Sequence, residues 1–421
     1  MNIWLVTIGE PIINPENKLR LHRTGILAKY ISEQTNHNVI FWTSTFSHFT
    51  KRHLYNKDTR VEISNQLKIV AIHGVKYKRN ISIARIINHR QIATKFRTFI
   101  KKEAKPDIIV VSFPTLELCE AAIYFGKSNK IPVLLDYRDM WPEVFVDVFP
   151  KGFRFIMNKI FLPLFLRTEK VFIIATGIIG ITDEFLNAGL NRAKRVKTDF
   201  DSVFPLAYLK NQFSENEFVL AEKFWTDMGI GINDKIVRIC FFGTLGYQFD
   251  FETVLEAAEE LSKESISVQI IICGNGDKFT TLKKKAANLK NVILPGYMNA
   301  AQIGVLLKVS DIGLCPYYPN PAFLKSIPGK AIEYMSAGLP LLSTLEKGVL
   351  GRIITHNDIG YHYDCGNTNS LINAIKQIVN EAAILKIKHK VITKIFSEEF
   401  DAQVVYKQYT DHLEKVVILF Q

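Results

Sequence analysis

The feature that most constrains this chain is an alternation of short, continuous apolar runs with segments of helical period. Apolar runs recur at residues 2–8, 38–43, 67–72, 107–113, 132–136 and 177–182, and again at 235–242, 267–273, 291–294, 311–315, 340–344 and 360–363. They are continuous rather than alternating, as in parallel strands covered on both faces. Helical spacing fills the gaps. Phe251, Val254, Leu255, Ala258 and Leu261 fall at i, i+3, i+4, i+7 and i+10, and Asn299 with Gln302 makes a capping-box pair. This order predicts an α/β chain of doubly wound sheets. The pattern falters between about residues 194 and 235, where polar and charged residues dominate. The expectation is two Rossmann-like domains facing across a cleft, 1–200 and 201–397, with a last helix at 398–421 packing back on the first. Ligands of such sheets bind outside the carboxyl ends of the strands, so the loops that follow the runs are where chemistry is sought.

Charge is placed unevenly. The 421 residues carry a formal net charge of +12, and with 48% hydrophobic and 22% charged residues the chain is not of the disordered class. Residues 1–200 hold 31 basic and 17 acidic residues, and residues 51–105 alone hold 15 against 3. Such asymmetry points to an anionic partner: nucleic acid, an acidic membrane surface or a phosphorylated substrate. The first residues lack a basic n-region, so no secretory signal is expected. The longest uncharged runs, 34–50 and 291–307, are interrupted by Asn, Gln, His or Pro and do not make a spanning helix. Five widely spaced cysteines (Cys119, Cys240, Cys273, Cys315, Cys365) predict neither a disulfide framework nor a zinc site.

The most informative stretch is 326–340. Pro328 suits a first helical turn and Gly338 a position just past a helix end, so a short helix is expected over 328–337. Its N-terminus offers N–H groups and about half a positive charge to an anion. Lys330 adds a full charge, and Glu333, three residues on, shares its face and is placed to accept hydrogen bonds from a ribose diol. An ordinary helix with an i, i+3 ion pair has the same spacing. Two glycine-bearing loops also follow strand runs: Gly243-Thr244-Leu245-Gly246 and Gly274-Asn275-Gly276. Glycine lets backbone N–H groups come close to a phosphate or a sugar.

These motifs, with Pro295-Gly296-Tyr297 and Pro328-x-Lys330-x-x-Glu333-Tyr334-Met335-x-Ala337-Gly338-x-Pro340, resemble the donor domain of glycosyltransferase family 4, which has the GT-B fold. Gly9-Glu10-Pro11, Arg23-Thr24-Gly25, Trp42-Thr43-Ser44-Thr45-Phe46, Lys105-Pro106-Asp107 and the run Asp136-Tyr137-Arg138-Asp139-Met140-Trp141-Pro142-Glu143 resemble the acceptor domain of bacterial members that build capsule or O-antigen. The resemblance implies a retaining transferase. It would move a hexosyl or N-acetylhexosaminyl unit from a nucleotide sugar, usually UDP-linked, to a lipid-diphosphate-linked saccharide. It implies no metal and no other cofactor. Glu333 would hold the ribose, and Lys330 with the helix end would neutralise the diphosphate. Gly243, Thr244, Gly274 and Asn275 would surround the donor, and Gly296 with Tyr297 would border the base. Two departures stand out. Many members carry a Glu eight residues before the ribose Glu, where this chain has Lys325, followed by Ser326, at the donor sugar. An Arg and Lys pair expected after the first donor-domain strand is replaced by Leu245 and Tyr247.

On the acceptor side, Asp136-Tyr137-Arg138-Asp139 follows an apolar run and so stands at a strand's carboxyl end. Asp139 is a candidate to orient an acceptor hydroxyl or to steady positive charge on the sugar, and Arg138 to hold a phosphate; a structural Arg–Asp pair is the other reading. Arg23 and Gly25 open the first helix, after a loop containing Lys18 and Arg20 that suits an anionic acceptor. Residues 76–105 contain an amphipathic segment in which Ile83, Ile86, Ile87, Ala93, Phe96 and Ile100 lie roughly on one side, flanked by Arg85, Arg90, Lys95, Arg97 and Lys101. Residues 151–167 mix basic ends with aromatics. Both suit an anionic membrane surface, at the cytoplasmic face of an inner membrane. Two other functions keep some of these features. A nucleotide-sugar epimerase shares the fold but needs no lipid acceptor. A nucleic-acid binder would interleave aromatics for stacking, yet within 76–105 only Tyr77, Phe96 and Phe99 are aromatic, so no nucleic-acid partner is expected.

Overall fold

The computed structural model describes every residue except 14–19, 80–81, 144–145, 147–148, 211–212 and 232–235. The chain divides into two compact units. One is Met1–Pro205 with Val405–Gln421, and the other is Leu206–Val404. The boundary thus falls five residues later than the polar stretch suggested, and the final segment returns to the first unit from residue 405 rather than 398.

The first unit is built on a sheet of order β3-β4-β2-β1-β5-β6-β7-β8. Its strands are β1 (Asn2–Val6), β2 (Asn38–Ser44), β3 (Thr59–Ser64), β4 (Leu67–Ile72), β5 (Ile108–Phe113), β6 (Val133–Tyr137), β7 (Gly177–Gly180) and β8 (Ser202–Val203). All pairings are parallel except β3 with β4. The second unit has the order β11-β10-β9-β12-β13-β14, all parallel. Its strands are β9 (Val237–Phe242), β10 (Val268–Cys273), β11 (Val292–Gly296), β12 (Ile312–Cys315), β13 (Leu341–Ser343) and β14 (Gly360–His362). Each apolar run of the sequence is one of these strands, although residue 235 lies outside the described residues. Strands β3 and β8 were not expected. β3 is an antiparallel edge strand that alternates half-covered and exposed residues, so it lacks the continuous run that marks a central strand. β8 has only two residues.

Helices cover the faces, and their buried sides make the cores. In the first unit Trp4 lies edge-on to Trp42 at 5.3 Å and stacks on Phe125 at 5.4 Å, with Phe96 against both tryptophans. In the second unit Gly313 of β12 has no room for a Cβ, which would lie 2.2 Å from the Tyr334 ring. The helix Gly329–Ser336 therefore seats directly on the strand, with Ala331, Ile332, Tyr334 and Met335 buried. The helix Ala402–Phe420 lays Val405, Tyr406, Tyr409, Leu413 and Val416 into the first unit, and Tyr409 stacks on Phe204 at 4.4 Å. Among the described residues no helix is long and apolar enough to cross a membrane. All five cysteines are free.

Trp4 touches three aromatic rings and has no exposure, so Trp4→Ala is expected to cost ~3–5 kcal/mol. Urea unfolding measures this; an unchanged midpoint contradicts the packing described.

Candidate functional site

In the second unit three loops at the carboxyl ends of adjacent strands are tied together by backbone. The Gly243 N–H donates to the Cys273 carbonyl at 3.0 Å, the Gly274 N–H to the Gly296 carbonyl at 2.6 Å, and the Leu245 N–H to the Asn275 carbonyl at 2.9 Å. Glycine is required at the centre of this contact. Gly274 has φ +134°, and a Cβ there would lie 1.8 Å from the Gly243 carbonyl oxygen. Gly243 has φ +139°, and a Cβ there would lie 2.4 Å from Lys330 Cε and 2.7 Å from its Nζ. The missing side chain at Gly243 is thus the space that the Lys330 side chain occupies. The Lys330 ammonium also stands 5.4 Å from the Phe241 ring and 5.1 Å from the Phe249 ring, a favourable place for a cation.

Lys330 is the second residue of the helix Gly329–Ser336, which begins after Pro328 with no side-chain cap. An uncapped first turn leaves its N-terminal dipole to act on an anion. Glu333, one turn on, is 6% exposed. The sequence-selected residues Gly243, Gly274, Gly296, Lys330 and Glu333 are therefore brought together. Thr244, Asn275 and Tyr297 are exposed beside them, and Lys325 and Ser326 are half-buried at the end of the short helix Pro321–Lys325. Lys278 was not singled out in the sequence. Its Nζ donates to Glu252 at 3.0 and 3.2 Å and lies 5.6 Å from the Tyr247 ring. Among the described residues no three His, Cys, Asp or Glu side chains are grouped to hold a metal ion.

The first unit places its charged residues differently from the expectation. Arg23, taken as an acceptor contact, is buried: its Nε donates to Asp136 at 3.1 Å and its Nη1 to the Pro205 carbonyl at 2.7 Å. Arg138 donates to Asp136 at 2.8 Å and also to Glu10, Thr24 and Ser112. The structural Arg–Asp pair is the correct reading, and the partner is Asp136, not Asp139. Two side-chain acceptors on adjacent strands, with Glu10, hold the half-buried guanidinium, so Arg138 is engaged within the protein. Glu10 also accepts the Thr24 and Gly25 N–H groups at 3.0 and 3.3 Å, capping the helix Arg23–Gln34, whose N-cap His22 supplies no side-chain bond. Gly25 is buried under that carboxylate. Lys18 lies outside the described residues. Asp139 is exposed at the end of β6. Desolvation by the chain around it pushes its carboxyl up, with Glu143 adding and Arg85 opposing. Glu143 pairs with Arg192.

Burial would raise the Glu10 and Asp136 carboxyls, but Arg138 beside both, joined by Arg23 at Asp136, outweighs it and holds each below its ordinary value. His48, in the loop after β2, is pushed down to about 4 by burial and by Lys51 and Arg85, and bonds Tyr77 at 2.9 Å.

The two basic segments also differ from the expectation. In the helix Ile83–Phe99 the apolar side splits. Ile92, Ala93, Phe96 and Ile100 are buried, whereas Ile83, Ile86 and Ile87 are exposed at its start. The helix Arg154–Ile160 buries nothing; Phe155 is 68% exposed and Ile160 59%, and Phe153, Ile156, Leu162 and Leu166 around them are exposed as well.

Residues 227–395, within the second unit, match the family described as glycosyl transferases group 1. The 2-deoxystreptamine N-acetyl-D-glucosaminyltransferase of Niallia circulans is 26% identical over 148 residues, 34% of this chain and 36% of that enzyme. The match thus spans about a third of the length of that curated relative. Solved structures match over nearly the whole chain. Sucrose-phosphate synthase from Thermosynechococcus elongatus has a TM-score of 0.70 at 15% identity, covering 99% of both chains. HepE from Anabaena, solved with UDP, has 0.65 at 13%, covering 98% of this chain and 99% of its own. WaaG, a glycosyltransferase involved in lipopolysaccharide biosynthesis, has 0.63 at 13% with the same coverage. The fold is two Rossmann-like α/β domains of the GT-B type, and the fold and the matching domain are those of glycosyltransferases.

The Glu10–Arg138–Asp136 cluster predicts an acid response. Both carboxyls sit below their ordinary values of 4.5 and 3.8, so the stability they supply is present above those values and is lost as pH falls through the lower folded ones. Thermal unfolding from about pH 7 to about pH 3 should show this loss. Arg138→Met leaves two buried carboxylates with one cation; it should cost ~3–5 kcal/mol near neutrality and flatten the acid loss, because protonation then relieves the carboxyls. Unchanged melting in that variant contradicts the cluster's role.

Proposed function

We propose that this chain is a retaining glycosyltransferase of family 4. It moves a sugar from a UDP-linked donor to a lipid-diphosphate-linked saccharide during assembly of a cell-surface polysaccharide, on the cytoplasmic face of a membrane. One observation carries the reading: Gly243, Gly274 and Gly296 converge beside Lys330 at the uncapped start of the helix Gly329–Ser336, with Glu333 buried one turn on. Supporting it, HepE was solved with UDP, WaaG is involved in lipopolysaccharide biosynthesis, and the Niallia circulans relative is an N-acetyl-D-glucosaminyltransferase.

In this mechanism the second unit holds the leaving group. The two N–H-rich glycine loops bring backbone against the diphosphate, and Lys330 with the helix dipole stabilises the charge that grows as the sugar–phosphate bond lengthens. Glu333 accepts hydrogen bonds from the ribose hydroxyls and fixes the donor's register. The acceptor hydroxyl oxygen bonds to the anomeric carbon on the face from which the diphosphate leaves, and its proton passes to the departing phosphate oxygen, so configuration is retained. Positioning and charge stabilisation supply the catalysis, and the chain's own residues need form no covalent intermediate. Lys325 and Ser326 stand on the donor-sugar side. In the first unit Asp139 is the group left to act on the acceptor, because Arg23 and Arg138 are engaged internally.

The exposed surface of the first unit supports a membrane contact. A helix that buries none of its side chains and exposes Phe155, Ile156 and Ile160 beside Arg154 and Lys159 has the composition of an interfacial anchor. Ile83, Ile86 and Ile87 beside Arg85 form a second exposed cluster, which supports a contact at the start of the 76–105 segment rather than along its whole length.

Lys330→Ala and Glu333→Ala should each lose most of the transfer activity while keeping the melting temperature without ligand. UDP at 100 times its dissociation constant should stabilise the parent protein by ~2.7 kcal/mol. Near-normal turnover of either variant at saturating donor refutes the site assignment, and sugar conversion with donor alone would favour an epimerase.

A further inference from the structure

The helix Ala382–Ile395 of the second unit presents a surface that donor binding does not use. It packs through Leu385, Ile392 and Ile395, and Lys388 is tucked beneath it, donating to the Asp358 carbonyl at 2.8 Å. Outside this seat, Ile384, Ile387 and Val391 are 42%, 66% and 41% exposed. Their spacing of i, i+3 and i+7 places them on one stripe. Lys386, Lys390 and Lys394 are exposed on the same helix, as is His389. From residue 382 to 397 the chain contains no Asp or Glu. Lys388 pairs with the Asp358 carboxylate at 2.5 Å, and Lys394 has Glu398 at 3.9 Å with both largely in solvent.

Water alone does not select this pattern, since a solvated helix face is polar. Three branched aliphatic side chains bordered by lysines, on a helix that carries no acid of its own, have the chemistry of a helix lying in a lipid headgroup layer. The aliphatics enter the acyl boundary and the ammonium groups meet phosphates. An apolar protein partner would need no such one-signed border.

We propose that the helix Ala382–Ile395 is a second lipid-docking surface, carried by the donor-side unit and selective for anionic headgroups. This goes beyond the contact proposed for the first unit and rests on the same reading, that the chain works at a membrane. Each unit then has its own attachment, and the donor-side unit is held at the surface independently of the other.

The test is co-sedimentation of the full chain with phosphatidylcholine vesicles, with and without phosphatidylglycerol. Three triple variants are compared: Ile384→Ser/Ile387→Ser/Val391→Ser, Lys386→Glu/Lys390→Glu/Lys394→Glu, and Phe155→Ser/Ile156→Ser/Ile160→Ser. Each is expected to weaken binding to the anionic vesicles by about tenfold or more, with the UDP-induced thermal shift unchanged. If both second-unit variants bind like the parent while the first-unit variant loses binding, this inference is overturned and the first-unit contact stands. If the parent does not bind anionic vesicles at all, both readings are overturned. A parent dimer that the serine variant converts to monomer, with vesicle binding intact, makes the stripe a protein interface and also overturns the inference.

Discussion

The contact on which the donor side depends is the approach of Lys330 to Gly243. A Cβ at Gly243 would fall inside the lysine side chain, so an alanine there would push the ammonium away from the helix start. The approach is fixed from below as well: Gly313 lets the Tyr334 ring lie flat against β12, which sets the depth of the helix carrying Lys330 and Glu333. Gly274 closes the arrangement by letting the β9 and β10 loops touch through backbone alone. Absent side chains thus position a present charge, and in the proposed function the cation held between glycine backbone and the Phe241 and Phe249 rings would meet a diphosphate without reorganising first.

The first unit spends its charges in the opposite way. Arg23, Arg138, Glu10 and Asp136 satisfy one another where the helix Arg23–Gln34 meets the ends of β5 and β6. The cation–π contact of Arg23 with Tyr409, at 5.3 Å, connects this cluster to the returning helix Ala402–Phe420. Asp139 remains exposed beside this cluster, and His48, bonded to the buried Tyr77, is held neutral.

Most of the fold was legible because buried parallel strands announce themselves as continuous apolar runs. β3 escaped because an edge strand such as Thr59–Ser64 is half in solvent and its residues alternate. The grouping proposed as the donor site was legible because its parts are local: a glycine after each strand, and Lys330 and Glu333 one turn apart. The internal engagement of Arg23 and Arg138 was not legible for the converse reason. Arg23 reaches Asp136 across 113 residues, and Arg138 reaches Glu10 across 128 as well as Asp136 two residues before it; no spacing rule reports a pairing of the longer range. The amphipathic reading of 83–100 treated one helix as one environment, whereas its start is exposed and its end is core.

Calorimetric titration of UDP, UMP and uridine into the parent protein and Lys330→Ala tests the central claim most directly. If the helix start and Lys330 hold the diphosphate, the parent prefers UDP to UMP, and Lys330→Ala loses most of that preference while its affinity for uridine is unchanged. A UDP preference that survives the substitution intact contradicts the account.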